Sequence, residues 1–439
     1  MGQRRPAQWA PLLIILLLLV AGCGQIQPPP TGESPPWETP RPTPTPPPAG
    51  RVRLLASWRG GDEAGFLRAL EVFTARTGIA VDYTGEAEVA DALLAAVEAG
   101  VPPDVVVLPK PNWLWELASA GAIPPLPPDV AALVERDFSP AWVELVSYGG
   151  EPYGVPVRAA SKSLLWYRPD ALRSAPALDT LDDLEAAAED LSARGVKPFV
   201  VPAGEGGGWP LTDWFENILL AEAGPAAYEA LARHDIPWTH PDVRRAAVRF
   251  AGLLRDEWLL GGAEGAVELP LAESFEAAFT PPRPRAAFWL GLGPVVEGQR
   301  RKFPHLRPGE HIGVTSFPAN GVVGVADVAV ALNGREETRR LMAFLAGAEM
   351  PLLWVGAGGY FISPNRALSP SAYTDSFRAY EARQLQEAAA FAYDLSDRLP
   401  RLLAQELQRG LTALLLSPDD VDAVLAQIEE VAGREQGFR

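Results

Sequence analysis

The chain has 439 residues, a formal charge of −17 at pH 7 and a single cysteine, Cys23. So acidic a surface repels phosphate backbones, which argues against nucleic acid as a partner, and a lone thiol excludes an intrachain disulfide. Stability must then come from cores, and the length is too great for one and natural for two.

In chain order, Arg4 and Arg5 come first, then an apolar run from Leu12 to Val20, closed by Val20-Ala21-Gly22-Cys23. The run is about nine residues, too short for a helix across a roughly 30 Å hydrocarbon core, so residues 1–22 read as a cleaved export signal. Its close resembles the lipobox of bacterial lipoproteins. That resemblance implies a mature chain beginning at Cys23, its thiol carrying a diacylglycerol that anchors it to the bacterial membrane outside the cytoplasm. Residues 23–50 then form a proline-rich linker, with eleven prolines between Gln25 and Gly50. As a polyproline-II spacer at about 3.1 Å per residue it reaches up to roughly 80 Å.

The body opens with a strand and helix rhythm. Val52 to Ala56 reads as a strand, and Asp62 to Thr77 as a helix with Phe66, Leu67, Leu70 and Phe73 on one face, ended by Gly78. Ile79 to Tyr83 is a second strand, Ala87 to Ala99 a second helix, and Val105 to Leu108 an apolar run fit for a buried parallel strand. In such an open sheet ligands sit beyond the carboxyl ends of the strands. The loops there are Ser57 to Gly61, Thr84 to Glu86 and Pro109 to Pro111.

After Pro156 the character changes. Ser163 to Tyr167 and Phe199 to Val201 read as strands, and Thr180 with Asp183 as the start of a helix ended by Gly195. Helices follow over Leu211 to Ala223 and Pro241 to Trp258, then a strand over Val325 to Leu332 and a helix over Glu336 to Ala346. The C-terminal third reads as helical, with Asp419 to Ala432 its last amphipathic stretch.

Several segments of this body resemble the extracellular solute-binding proteins of carbohydrate ABC importers, in particular the alpha-glucoside-binding branch. They are Ser57-Trp58-Arg59-Gly60-Gly61-Asp62-Glu63, Gly100-Val101-Pro102-Pro103-Asp104-Val105, Tyr153-Gly154-Val155-Pro156 and Lys162-Ser163-Leu164-Leu165-Trp166-Tyr167. Gly208-Trp209-Pro210-Leu211-Thr212-Asp213-Trp214, Phe361-Ile362-Ser363-Pro364-Asn365 and Asp394-Leu395-Ser396-Asp397-Arg398-Leu399-Pro400 follow in the same order. The resemblance implies an α/β, two-lobed, periplasmic-binding-protein-like fold of type II, with a ligand cleft between hinged lobes that close over ligand. The first lobe then takes residues 51–157 and a return segment 323–364. The second takes 158–322 and 365–439. The sequence departs from that pattern at Gly324-Val325-Ala326-Asp327, which has one glycine where the family has a pair, and at the unusually apolar Phe288-Trp289-Leu290-Gly291.

The implied function is capture of a sugar, an alpha-glucoside or another oligosaccharide, and its delivery to the permease subunits of an ABC importer by a monomeric receptor that needs no cofactor. Thirteen tryptophans fit it, since an indole face covers the apolar face of a pyranose while its N–H reaches a hydroxyl. Trp58, Trp166, Trp209 and Trp289 lie near loops or strand ends and are the candidate stacking residues, whereas Trp142, Trp238, Trp258 and Trp354 read as core. Asp62, Lys162, Asp213 and Asp327 are candidates for hydrogen bonds to hydroxyls. A surface salt bridge or a helix cap is the alternative for each.

Two other functions were weighed against this one: a secreted glycoside hydrolase and a surface lipoprotein without a transport role. The sequence has no G-x-S-x-G, no phosphate loop ending in Gly-Lys-Ser/Thr and no H-E-x-x-H. Gly204 to Gly208 lacks the lysine and hydroxyl of a phosphate cradle and reads as a pliant loop beside the cleft. His305 and His311 lack metal-ligand spacing. Asp394 and Asp397 are the acid pair to test for hydrolysis, which in retaining enzymes needs carboxyls about 5 to 5.5 Å apart across the sugar.

Overall fold

The computed structural model describes residues 50–110, 112–280 and 285–435. The signal expected at residues 1–22, Cys23 and the linker expected at 23–50 lie outside the described residues, except Gly50, which opens the first strand rather than ending the linker. The strands in chain order are β1 (Gly50–Ala56), β2 (Ile79–Gly85), β3 (Val105–Leu108), β4 (Ser147–Tyr148), β5 (Glu151–Pro152) and β6 (Gly154–Ser161). Then come β7 (Leu164–Tyr167), β8 (Lys197–Phe199), β9 (Ala286–Leu290), β10 (Gly313–Ser316), β11 (Val322–Ala331) and β12 (Phe391–Tyr393).

The first lobe is built on a sheet of order β12-β11-β3-β1-β2, with β6 on the other flank of β11. Strands β1, β2 and β3 are parallel, as the two crossover helices between them require, and every residue of β3 is buried. The helix Gly61–Thr77 ends where Gly78 turns left-handed at φ 71. Strand β11 runs antiparallel to both β3 and β6, so the sheet is mixed where the sequence showed only a parallel start.

The second lobe carries a four-stranded sheet, β10-β7-β9-β8, under helices that include Leu181–Ala193, Trp209–Ala232 and Pro241–Leu253. Thr180 and Asp183 form the reciprocal cap expected of them. The helix Trp209–Ala232 bends at Gly224, whose φ of 77 is not helical, before Pro225. Among the described residues no single helix is long and apolar enough to cross a membrane.

Three strands connect the lobes, and they are neighbours. The chain leaves the first core along β6, returns along β11 and leaves again after β12, and β11 pairs with both of the others. Residues 365–393, assigned from sequence to the second lobe, place Leu368, Tyr373, Ala382 and Leu385 in the first core. The reason is non-local: Gln386 donates to the carbonyls of Asn365 and Leu368, and Trp142 donates to that of Leu385.

At the junction Gly324 of β11 lies so close to β6 that a Cβ there would meet the Ala160 carbonyl at 2.6 Å and the Phe391 ring at 2.9 Å. Both neighbours are fixed by sheet pairing, so the contact cannot relax cheaply. Gly324→Ala is expected to lose about 1 to 3 kcal/mol in urea unfolding, the usual cost of overfilling a packed site. An unchanged midpoint would mean that the strands part freely there.

Candidate functional site

Two of the polar residues expected at the site, Lys162 and Asp213, lie where the three strands cross, together with Asp394. Lys162 follows β6, Asp394 follows β12, and Asp213 lies in the first turns of the helix Trp209–Ala232. The Lys162 ammonium donates to Asp213 Oδ1 at 2.9 Å and closely to Asp394 Oδ2. Backbone bonds hold the same level together: Lys162 N–H donates to Val323 and Asp394 N–H to Gly324. Asn217 donates to the Lys162 and Asp213 carbonyls. Lys162 and Asp213 were expected as candidates for hydroxyls with a salt bridge as the alternative, and here each is engaged with the other.

Burial and charge set the ionisation of this cluster. Burial opposes the Lys162 charge, but Asp213, Asp394 and Glu216 outweigh it and hold its pKa well above the usual lysine range. Burial pushes Asp394 up as well, and the ammonium, the Ser396 hydroxyl and the Asp397 N–H more than offset that and leave it low. For Asp213 burial prevails over Lys162, and its pKa is pushed up to about 6. Burial and the neighbouring Asp394 charge raise Glu216 well above the carboxylate range, although it accepts from Tyr228 and from the N–H groups of Leu395 and Ser396.

Asp327 sits at a bulge, where the pairing of β11 with β6 shifts register. It accepts from Trp58 Nε1 at 2.9 Å and from Arg158 Nε at 2.8 Å. Trp58 is buried against Phe66 and Trp354, edge to face, with the Arg158 guanidinium 5.3 Å from its ring. Trp166 and Trp289 are buried too. Their N–H groups donate to the Gly291 carbonyl and the Ser274 hydroxyl. Three of the four predicted stacking rings thus have protein on their faces and no N–H to spare. Trp142, Trp238, Trp258 and Trp354 are core, as read. The side chain of Asp62 lies outside the described residues.

Trp209 differs from those three. It opens its helix half-exposed, after three left-handed glycines, Gly206, Gly207 and Gly208 (φ 50, 81 and 94). The loop brings Gly206 against the ring edge, and the Lys162 ammonium lies 5.5 Å from the ring centre. The carboxyl end of β3 meets the segment after β12. Lys110 there donates to the Asp397 carbonyl at 3.0 Å and lies 3.7 Å from its carboxylate. The Arg398 guanidinium sits 5.4 Å over the half-buried Trp115, and Tyr393 donates to the Pro109 carbonyl. Lys110 lies in one of the loops expected beyond the sheet, and Trp115 and Arg158 are neighbours that the sequence did not single out. The signal for both was position alone, at the carboxyl end of β3 and on a crossing strand.

Of the acid pair considered for hydrolysis, Asp394 is engaged in structure, whereas the Asp397 carboxylate is partly exposed beside Lys110. Asp394 is fully buried, and its Oδ1 caps the next turn by accepting from Asp397 N–H at 2.9 Å and from Ser396 Oγ at 2.7 Å.

Comparisons with known proteins agree with this architecture. A profile of bacterial extracellular solute-binding proteins matches residues 59–350. The osmoprotective compounds-binding protein GgtB of Synechocystis sp. is 30% identical over 363 residues, 80% of this chain and 85% of that protein. The alpha-glucosides-binding periplasmic protein AglE of Rhizobium meliloti is 27% identical over 368 residues, 80% of each. Among solved structures the bacterial solute receptor AcbH, with its exclusive substrate preference for b-D-galactopyranose, superposes with a TM-score of 0.76 at 15% identity. That match covers 89% of this chain and 98% of AcbH.

Removing the hinge ammonium leaves buried carboxylates without their counter-charge. Lys162→Ala is expected to destabilise the protein by about 3 to 5 kcal/mol at pH 8. Without Lys162, Asp213 and Asp394 hold protons more tightly folded than unfolded, so stability falls as pH rises through their raised range. The deficit should therefore shrink at pH 5. Urea unfolding of both proteins at the two pH values measures it, and an equal deficit at both would reject this assignment of charge.

Proposed function

The chain belongs to the bacterial extracellular solute-binding protein family, and we propose that it is a non-catalytic sugar receptor of an ABC importer. Its ligand on this reading is an alpha-glucoside or another oligosaccharide, held between the lobes and passed to the permease subunits. The observation that carries the reading is the placement of Trp209: a half-exposed indole beside a buried ammonium, on the second lobe's side of the crossing strands. Support comes from AglE, an alpha-glucosides-binding protein that matches four-fifths of the chain. The chemistry agrees, since an aromatic face with charged hydrogen-bonding groups at its rim suits a neutral polyol. Lys110 and Asp397 are the further groups we assign to hydroxyls, because both sit at the mouth between β3 and the last crossing and are partly exposed. Trp58 and Asp327 then act from behind, holding Arg158 in place.

Binding is checked by melting shifts with maltose, trehalose, sucrose and maltooligosaccharides. A ligand at a hundred times its dissociation constant stabilises by about 2.7 kcal/mol, a readable shift. Trp209→Ala should weaken the best of these at least tenfold, on the order of 1 to 3 kcal/mol, with little change in the unliganded melting temperature. The opposite pattern, intact affinity and a large fall in stability, would make Trp209 a core residue. Prolonged incubation should leave the bound sugar chemically unchanged.

The anchor is the second part of the reading. Cys23→Ser is expected to move the protein from the membrane fraction to the soluble exported fraction with unaltered sugar affinity. A variant that stays with the membrane would reject lipidation at Cys23.

A further inference from the structure

Another buried carboxyl group lies at the lobe junction, apart from the hinge cluster and from the sugar site proposed above. Glu381 is 1% exposed, on the helix Ser376–Glu387. That helix touches both lobes. Its Phe377 packs edge to face on Trp166 of the second lobe, while Ala382 and Leu385 lie in the first core. Glu381 Oε1 accepts from the N–H of Ser161, the last residue of β6, at 2.9 Å. Its Oε2 accepts closely from the hydroxyl of Tyr360, just past the left-handed pair Gly358 and Gly359.

From the second lobe, the start of the helix Gly293–Lys302 closes over these two groups. A Cβ at Gly293 would overlap both Tyr360 Oη and Glu381 Oε2, so only a glycine permits the approach. The cavity beside them is about 10 Å³, no more than one water needs. Glu381 itself is almost wholly removed from solvent.

Among the described residues no cation pairs with the carboxylate. Arg378, the nearest on its own helix, donates to the Gly359 carbonyl at 2.6 Å and pairs with Glu297 at 3.6 Å. Arg300 of the facing helix pairs with Asp375 at 2.6 Å. Tyr373 donates no bond to it and instead accepts from Ser363 N–H. Tyr380 meets Ser316. Burial prevails over the hydrogen bonds from Tyr360 and Ser161 and pushes the Glu381 pKa up to about 7.

We propose that Glu381 makes the lobe junction proton-sensitive: with its proton the second lobe stays seated on Tyr360, and without it the lobes part so that water reaches the carboxylate. A group that binds its proton more tightly in the seated form favours that form at low pH and releases it as pH rises through neutrality. The inference rests on the two-lobed receptor reading only for the use made of the motion. It holds or fails without any sugar.

The test is the distance between lobes in the ligand-free full chain. Spin labels at Val97→Cys and Val248→Cys, both on exposed positions of opposite lobes, are placed in a Cys23→Ser background and read by pulsed EPR. Between pH 6 and pH 8 the longer-distance population should rise at least roughly threefold in the otherwise wild-type chain. Glu381→Gln should keep the short distance throughout. Gly293→Ala, which wedges a methyl into the junction, should show the long distance at every pH. Should Glu381→Gln fail to fold, Tyr360→Phe supplies the same information: losing a donor to the carboxylate must move the midpoint to higher pH. A distance independent of pH, a shift that survives Glu381→Gln, or an unmoved midpoint in Tyr360→Phe each overturns the proposal.

Discussion

The rest of the structure depends on one buried ammonium. Lys162 is where the first crossing strand ends, and it is tied at once to the third crossing through Asp394 and to the second lobe through Asp213. A charge taken out of water at this depth cannot abandon its partners without a cost of several kcal/mol, so the three segments stay side by side whatever the lobes do. The choice of lysine is telling in a chain with only four lysines. A compact point charge fits between two carboxylates arriving from different directions, where a planar guanidinium would demand a shared plane.

That anchor explains why the polar groups divide into two kinds. Glu216 and Tyr228 carry the cluster deeper, bonding the N–H groups at Leu395 and Ser396 so that the last crossing enters the second lobe in one way. The Asp327 bulge carries it the other way, toward Arg158 and the Trp58 core. These groups set positions. The side chains of Lys110, Asp397 and Trp209 are partly exposed, and on the proposed reading such groups, with hydrogen-bonding capacity left, meet the ligand.

Much of the fold was legible because its signals are local. Gly78 ends a helix through its own backbone freedom, Thr180 and Asp183 cap each other three residues apart, and the apolar run of β3 can only be a strand buried on both faces. The site was less legible because its decisive contacts span the chain. Trp58 gives its N–H to a residue 269 positions away, and Trp166 to one 125 positions away. Proximity to a strand end places a tryptophan near the cleft but does not say which way its ring points, and the partner that decides is invisible to spacing. The antiparallel run of β11 and the first-lobe packing of residues 365–393 escaped for the same reason. Both are settled by pairing with segments far off in sequence.

Two buried carboxyl groups with raised pKa values, Asp213 at the cluster and Glu381 at the junction, show that burial alone does not fix a residue's role. Asp213 shares an ammonium, so its protonation redistributes charge within a set that remains intact. Among the described residues Glu381 has two neutral donors and no cation, so the same event there changes the sign of the preference for a seated junction. The first arrangement resists motion and the second responds to it. A hinge needs both: a fixed axis, and beside it a contact whose strength differs between the positions of the lobes.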